Sequence, residues 1–346
     1  MKKKTSFLFF LGLILLFSGF KTVSAAEMKF SVQAVIPENQ VDKSQSYFDL
    51  RMKAGEAQDL LVDMRNDTSE DVTVEVTPNT AITNQNGIVE YNDTKTERDS
   101  SLKTGFKDIA TTEKEVTVPA KSTKQLKVHV QMPKEEYSGT ILGGIYFSEK
   151  DKDTSKETED EASQGSQIVN KYAYVIGVQL TENDTPVQAE LRLNAVQAQQ
   201  INYRNVITAN IQNYEAAILK DLKIEGKVYE KGGSEVLYSE VKEDLRMAPN
   251  SNFDFAISLD NKPFKAGKYT FKGVGKSGDK EWTFEKDFEI KGEESRKYNK
   301  EAVSLEKNYT WIYILVGVII LAILLVIIVI LLKKLKKNKE EQENED

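Results

Sequence analysis

Residues 79–113 hold the densest set of ligand-type side chains in the chain, with Thr83-Asn84-Gln85-Asn86-Gly87, Tyr91-Asn92-Asp93 and Ser100-Ser101-Leu102 combining amides, hydroxyls and an aromatic ring. Such groups suit a carbohydrate polymer, which needs hydrogen bonds and apolar contact with a ring face. A covering loop packed by Leu102, Phe106 and Ile109 is the equally weighted alternative, because long loops in compact domains are either functional or structural. Catalytic chemistry finds less support. His129 is the only histidine, and alternation with Val128 and Val130 predicts that it faces solvent. No nucleophile or orienting partner is nominated beside it. With one histidine and no cysteine, zinc sites of the usual ligand sets and disulfides are both excluded. Asp151, Asp153, Glu157, Glu159, Asp160 and Glu161 form an acidic run without the glycine-centred spacing of a calcium loop, which predicts a solvated loop. Cell-wall hydrolysis would need two carboxylates brought together by folding. The expectation is a protein without catalytic residues, metal or cofactor.

The elements that must position these groups are strands. Apolar residues fall at every second position in Leu60/Val62/Met64, Val72/Val74/Val76, Val116/Val118 and Leu126/Val128/Val130, the period of a half-buried strand. The cluster Asn66-Asp67-Thr68-Ser69 predicts a hairpin between the first two runs, and Pro119-Ala120-Lys121-Ser122 a second corner. Residues 140–147 and 172–180 are apolar on both faces, which predicts central strands covered on two sides. Between them, 149–167 is charged and aperiodic, a loop signal. A second set of about seven strands begins near Val187 and ends near Ile290, with turns at Lys231-Gly232-Gly233-Ser234 and Ser277-Gly278-Asp279. The fold class expected is therefore all-β, two tandem immunoglobulin-like β-sandwich domains over 27–183 and 185–291.

Both ends carry addresses. Lys2, Lys3 and Lys4 precede an apolar stretch over 7–17 and the small residues Ser24, Ala25 and Ala26, the three parts of a signal peptide spanning 1–25. Residues 312–332 are continuously apolar and are followed by Lys333, Lys334, Lys336 and Lys337. A run of roughly 20 such residues crosses a bilayer as a helix, so a single C-terminal transmembrane helix is placed at 311–332. Lysines next to a span stay cytoplasmic, which puts tail 333–346 inside and the sandwiches outside. Residues 292–310 become a stalk, on the order of 60 Å long if extended and about half that as a helix. The formal charge of −7 and pI near 5.2 argue against nucleic acid as a partner.

Several segments carry a resemblance. Ile36-Pro37-Glu38-Asn39-Gln40 with Tyr47-Phe48-Asp49-Leu50, then Ala81-Ile82-Thr83-Asn84 with Gly87 and Tyr91, then Gly139-Thr140-Ile141-Leu142-Gly143-Gly144-Ile145, resemble the first domain of the WxL-interacting proteins. Met247-Ala248-Pro249-Asn250-Ser251-Asn252-Phe253, Ala266-Gly267-Lys268-Tyr269 and Trp282-Thr283-Phe284 resemble that family's second domain. The resemblance implies a Gram-positive cell-surface protein whose first domain (family core about 28–148) binds peptidoglycan. Its second (family segmentation starting near 160) would bind host proteins such as those of the extracellular matrix, beside secreted WxL-domain surface proteins. Glycan contact is then expected at Asn39, Gln40, Asn84, Asn86 and Tyr91, and partner contact at Tyr229, Met247 and Asn250, with Met247–Asn250 equally readable as a strand-opening turn. The leading expectation is a membrane-anchored binding scaffold; the alternative is a chaperone-like assembly factor lending a strand from an exposed sheet edge.

Overall fold

The computed structural model describes residues 28–92, 95–150, 172–303, 305 and 310–342. The expected signal peptide and the expected acidic loop from Asp151 onward lie outside these described residues. The first sandwich comprises β1 (Phe30–Val35), β2 (Phe48–Arg51), β3 (Ala57–Asn66), β4 (Val72–Thr80), the short pair β5 (Ile82–Thr83) and β6 (Val89–Glu90), helix α1 (Phe106–Ile109), β7 (Ala110–Thr112), β8 (Glu115–Val118), β9 (Ser122–Gln131), β10 (Thr140–Glu149) and β11 (Ala173–Thr181). One sheet has the order β1-β3-β9-β7 and the other β2-β11-β10-β4-β8. β2 runs parallel to β11, and the other neighbours are antiparallel. Period-2 patterning places Leu60, Val62, Met64, Val74, Val76, Val128 and Phe147 inside, fully buried or nearly so. Each such side chain contributes about 1.5–3 kcal/mol by leaving water.

The alternation located the strands but not their partners. The hairpin expected between the runs at 60–64 and 72–76 does not form: β3 and β4 belong to opposite sheets. The intervening turn is a corner in which the Asn66 side-chain amide donates to the carbonyls of Glu70 (2.8 Å) and Val118 (3.0 Å). A buried amide satisfied by backbone on two crossing segments fixes the chain's passage between layers. β8 and β9 likewise separate, around Lys121 at φ 54°.

The second sandwich contains β12 (Leu191–Ile201), β13 (Arg204–Asn213), β14 (Leu219–Glu230), β15 (Val236–Met247), β16 (Ser251–Ser258), β17 (Gly267–Ser277) and β18 (Lys280–Ile290). Its sheets are ordered β12-β13-β16 and β15-β14-β17-β18, and Ile207, Ile211, Phe253, Phe255, Ile257 and Phe271 fill the space between them. The molecule is thus two tandem immunoglobulin-like β-sandwiches. β11 completes the first of them, pairing with β10 over nine residues and with β2 over four.

Two helices follow. Helix α2 (Gly292–Glu301) lies against the second sandwich. Ser295 Oγ donates to the Phe264 carbonyl at 2.8 Å, and Asn299 both donates to that carbonyl (2.9 Å) and accepts from the Phe264 amide (2.8 Å). The Tyr298 ring meets that of Phe264 at 5.8 Å. The first half of the expected stalk is therefore docked onto the domain. Helix α3 (Thr310–Gln342) contains Ile312–Lys334, long and apolar enough to cross a membrane and with none of it buried.

Candidate functional site: an aromatic sheet face and a junction between the sandwiches

The outer face of β10 and β11 is floored by glycine. Gly144 and Gly177 are cross-strand partners, and Tyr146 pairs with Val175 two residues along, on the same face. A Cβ on Gly144 would sit 2.9 Å from Val175 Cγ1 and 3.0 Å from Tyr91 Cβ, so glycine there is what lets Tyr91 lie against the sheet. Over Gly177 the nearest neighbour is Tyr47, at 3.7 Å, leaving room above the strand. Tyr47, Tyr91 and Tyr146 are half-buried on this side, and Val175 is 41% exposed. The expectation of cover on two sides holds along β10, where Ile141 to Ile145 are all buried, and fails along β11, whose outward Ala173 and Val175 are exposed, leaving an aromatic trough over Gly177 and Val175. Burial, aided by the nearby Tyr47 and opposed by Arg246, pushes the Tyr91 phenol up, so it stays a neutral hydrogen-bonding group at physiological pH.

The amides singled out from sequence support this face from below. Gln40, 5% exposed, donates to the Tyr47 carbonyl (2.9 Å) and accepts from the Asp49 amide (3.1 Å). Asn39 forms a reciprocal amide pair with Gln58 (2.8 and 3.1 Å). Asn84 Oδ1 accepts from the amides of Asn86 and Ile88, building the tight β5–β6 turn with Gly87 at φ 69°, where the Asn86 side chain is exposed.

The rest of 79–113 joins the two sandwiches. Asp99, 9% exposed, accepts from the amide and hydroxyl of Ser101 (2.8 and 2.7 Å), from Gln212 Nε2 (2.6 Å) and from Asn252 Nδ2 (2.5 Å). Thr83 Oγ1 accepts from the Ala248 amide (3.0 Å) and donates to Ser251 Oγ (2.5 Å), which in turn donates to the Ala248 carbonyl (2.8 Å). Backbone bonds from Arg246 to Gly87 (2.8 Å) and from Thr140 to Ala216 (2.7 Å) bracket this patch, and Ala81, Leu142 and Ala248 form its small apolar centre. A cavity of about 230 Å³ remains beside it, bordered by Pro78, Asn79, Arg98, Leu102, Lys107 and Asn252.

The candidates in the second sandwich fall apart spatially. Met247 is fully buried in the core. Asn250, at φ 49°, a conformation asparagine tolerates, donates to the Tyr214 carbonyl (2.9 Å) and Ser101 Oγ (3.3 Å) within the junction. Tyr229 is half-buried on the outer face of β14, at the end where that strand pairs with Val236, whereas Met247 pairs at the other end with Leu219. Ten residues of strand put them roughly 33 Å apart. Tyr47, Tyr146 and Val175 were missed from sequence, although the i, i+2 series Leu142, Gly144, Tyr146 marks one face of β10. His129 sits on the solvated face as expected, bonded to Asp59 at 2.8 Å. Among the described residues no group of histidines and carboxylates is arranged to hold a metal.

The architecture defines a class: two immunoglobulin-like sandwiches followed, among the described residues, by one helix long and apolar enough to cross a membrane. Residues 30–149 match the family model for the WxL Interacting Protein peptidoglycan binding domain, and residues 163–300 match that for its host binding domain. The chain belongs to the WxL-interacting protein family and has a cell-surface binding role. The second match takes in β11, which hydrogen-bonds within the first sandwich. No curated protein matches the chain. Among solved structures it is similar to the CsuC-CsuE chaperone-tip adhesion subunit complex of Acinetobacter baumannii, at 13% identity over 75% of this chain and 98% of that one, TM-score 0.31. It is also similar to the E. coli chaperone DraB, at 14% identity over 76% and 98%, TM-score 0.26.

Proposed function

We propose that this protein is a membrane-anchored, non-catalytic scaffold, with both sandwiches outside the cell and residues 333–346 in the cytoplasm. Its first sandwich binds peptidoglycan on the glycine-floored face between Tyr47, Tyr91 and Tyr146, where sugar rings stack on apolar surface while Asn86 at the rim supplies an exposed amide. Asn39, Gln40 and Asn84 act by holding the turns that present those groups. The second sandwich serves secreted WxL-domain surface proteins or host extracellular-matrix proteins, with Tyr229 on the face left open. The aromatic trough carries this reading, since the half-exposed rings of Tyr47 and Tyr146 lie on one sheet face outside the hydrophobic cores, with Tyr91 packed between that face and the junction. Its test is co-sedimentation of the detergent-solubilised chain with purified peptidoglycan: Tyr146→Ala should weaken retention about tenfold while leaving the melting temperature within a few degrees, one aromatic contact being worth about 1 kcal/mol or somewhat more. Retention equal to wild type would remove the trough from the site.

One observation favours a second reading. β15 ends its sheet and exposes Val236 and Val241, an edge onto which a client strand would add. A chaperone-like factor releases its client, so finding the partner bound stoichiometrically on mature cells decides for the scaffold.

A further inference from the structure

The chain as a whole is acidic, yet one side of the second sandwich's end nearest its anchor carries a cationic surplus. That side is built from the β12–β13 turn, the β16–β17 loop and α2, stitched together by Asn299 to Phe264 and Asn205 (2.9 Å) and by the Val303 amide to the Tyr203 carbonyl (2.9 Å). Arg204, Lys262, Lys265, Arg296, Lys297 and Lys300 are all exposed there. With Lys291 at the start of α2, and against the acids Asp260, Glu293, Glu294 and Glu301, these three segments carry a surplus of three positive charges on a chain of net charge −7, while the β14–β15 turn on the other sheet holds Glu230 and Glu235. None of the six cations is ion-paired to a described residue; the Lys231–Asp287 pair belongs to the β14–β15 turn and β18 on the other sheet, and Lys280–Glu190 to the opposite end. Tyr203, at the turn's tip with φ 57°, is 66% exposed, and Val303 beside it is 48% exposed. An exposed tyrosine among lysines and arginines is the composition of a membrane interface.

Chain length confines this end. Because α2 is docked and α3 begins at Thr310, only residues 302–309 separate the domain from the helix, a reach of about 26–29 Å even when extended. We infer that the Tyr203–Lys265–α2 end of the second sandwich is a docking surface for anionic phospholipid headgroups, which holds the domain flat on the bilayer. The short tether keeps the cations at high effective concentration near the surface, and attraction within a Debye length then closes the remaining gap. The inference rests on the anchored orientation proposed above.

Since the chain has no cysteine, one fluorophore can be placed at will on the full-length protein in nanodiscs containing spin-labelled quencher lipid. At Ala266→Cys, beside Lys265, quenching should be at least twofold stronger in phosphatidylglycerol than in phosphatidylcholine. It should fall to the phosphatidylcholine level in about 1 M salt, where the Debye length is ~3 Å, and in the Lys262→Glu/Lys265→Glu/Lys300→Glu variant. A label at Asp279→Cys, in the β17–β18 turn at the opposite end, should stay unquenched. Equal quenching in both lipids, or none in a chain that has incorporated into the discs, overturns the docking surface alone. Failure to incorporate overturns the anchor as well.

Discussion

The trough and the junction arise partly from one low-alternation stretch, yet they use polar side chains in opposite ways. At the junction each oxygen of the Asp99 carboxylate has a donor, and Thr83, Ser101 and Ser251 are bonded within the patch. In the trough, Gly177 and the exposed Val175 lie between the half-exposed rings of Tyr47 and Tyr146, while Tyr91 covers Gly144. A satisfied buried network fixes a geometry, whereas half-exposed rings leave apolar surface free for contact. The difference teaches that a polar, aperiodic segment cannot be assigned to binding by composition; what decides is whether its donors and acceptors already have partners.

The comparison breaks most visibly at Asp99. Asp99→Ala strands the donors of Gln212, Asn252 and Ser101 in a buried patch, and leaving such groups unmet costs about 3 kcal/mol or more in sum. Calorimetry should show the sandwiches melting in two separated transitions where the wild type gives one, while peptidoglycan retention changes little. A single unshifted transition would mean that the junction does not couple the domains.

Gly177→Ala sharpens the other half, with effects of opposite sign. The added Cβ meets Tyr47 at an ordinary 3.7 Å, and replacing glycine within a strand removes an entropic penalty of roughly 0.5–1 kcal/mol. Stability should hold or rise slightly by thermal melting. Peptidoglycan retention should nonetheless fall severalfold, because the methyl group occupies the floor on which a sugar ring would rest.

Much of the fold was legible because burial enforces period 2: the runs 60–64, 72–76, 126–130 and 253–257 are all strands with those residues inward. Pairing was less legible, since a corner such as Asn66-Asp67-Thr68-Ser69 has the same turn chemistry whether the chain folds back or crosses to the opposite sheet. The outward set Thr208, Asn210 and Gln212 on β13 was visible as polar residues between Ile207, Ala209 and Ile211. That Asp99 would lie on Gln212 was not, because 113 residues of chain separate them. Tyr91 was reachable from its own composition, but Tyr146 and Val175 become one surface only once the β10–β11 register is known.

The smallest expected effect lies where the two uses of polar groups meet. Asp49 stands at the edge of the trough, its backbone amide held by Gln40, and burial, reinforced by Asp42 and opposed by Arg51, raises its carboxyl above the ordinary aspartate value of 3.8. A folded-state pKa raised above the unfolded one means that stability is fullest below pH 3.8 and declines as pH rises through the folded value. Asp49→Asn removes that titration. Its melting temperature should match the wild type at pH 3 and exceed it slightly at pH 7, the gap opening just above the ordinary aspartate range. A variant less stable than wild type at pH 7 would show instead that the ionised carboxylate is held by Arg51, and that this corner belongs with the satisfied network and not with the open face.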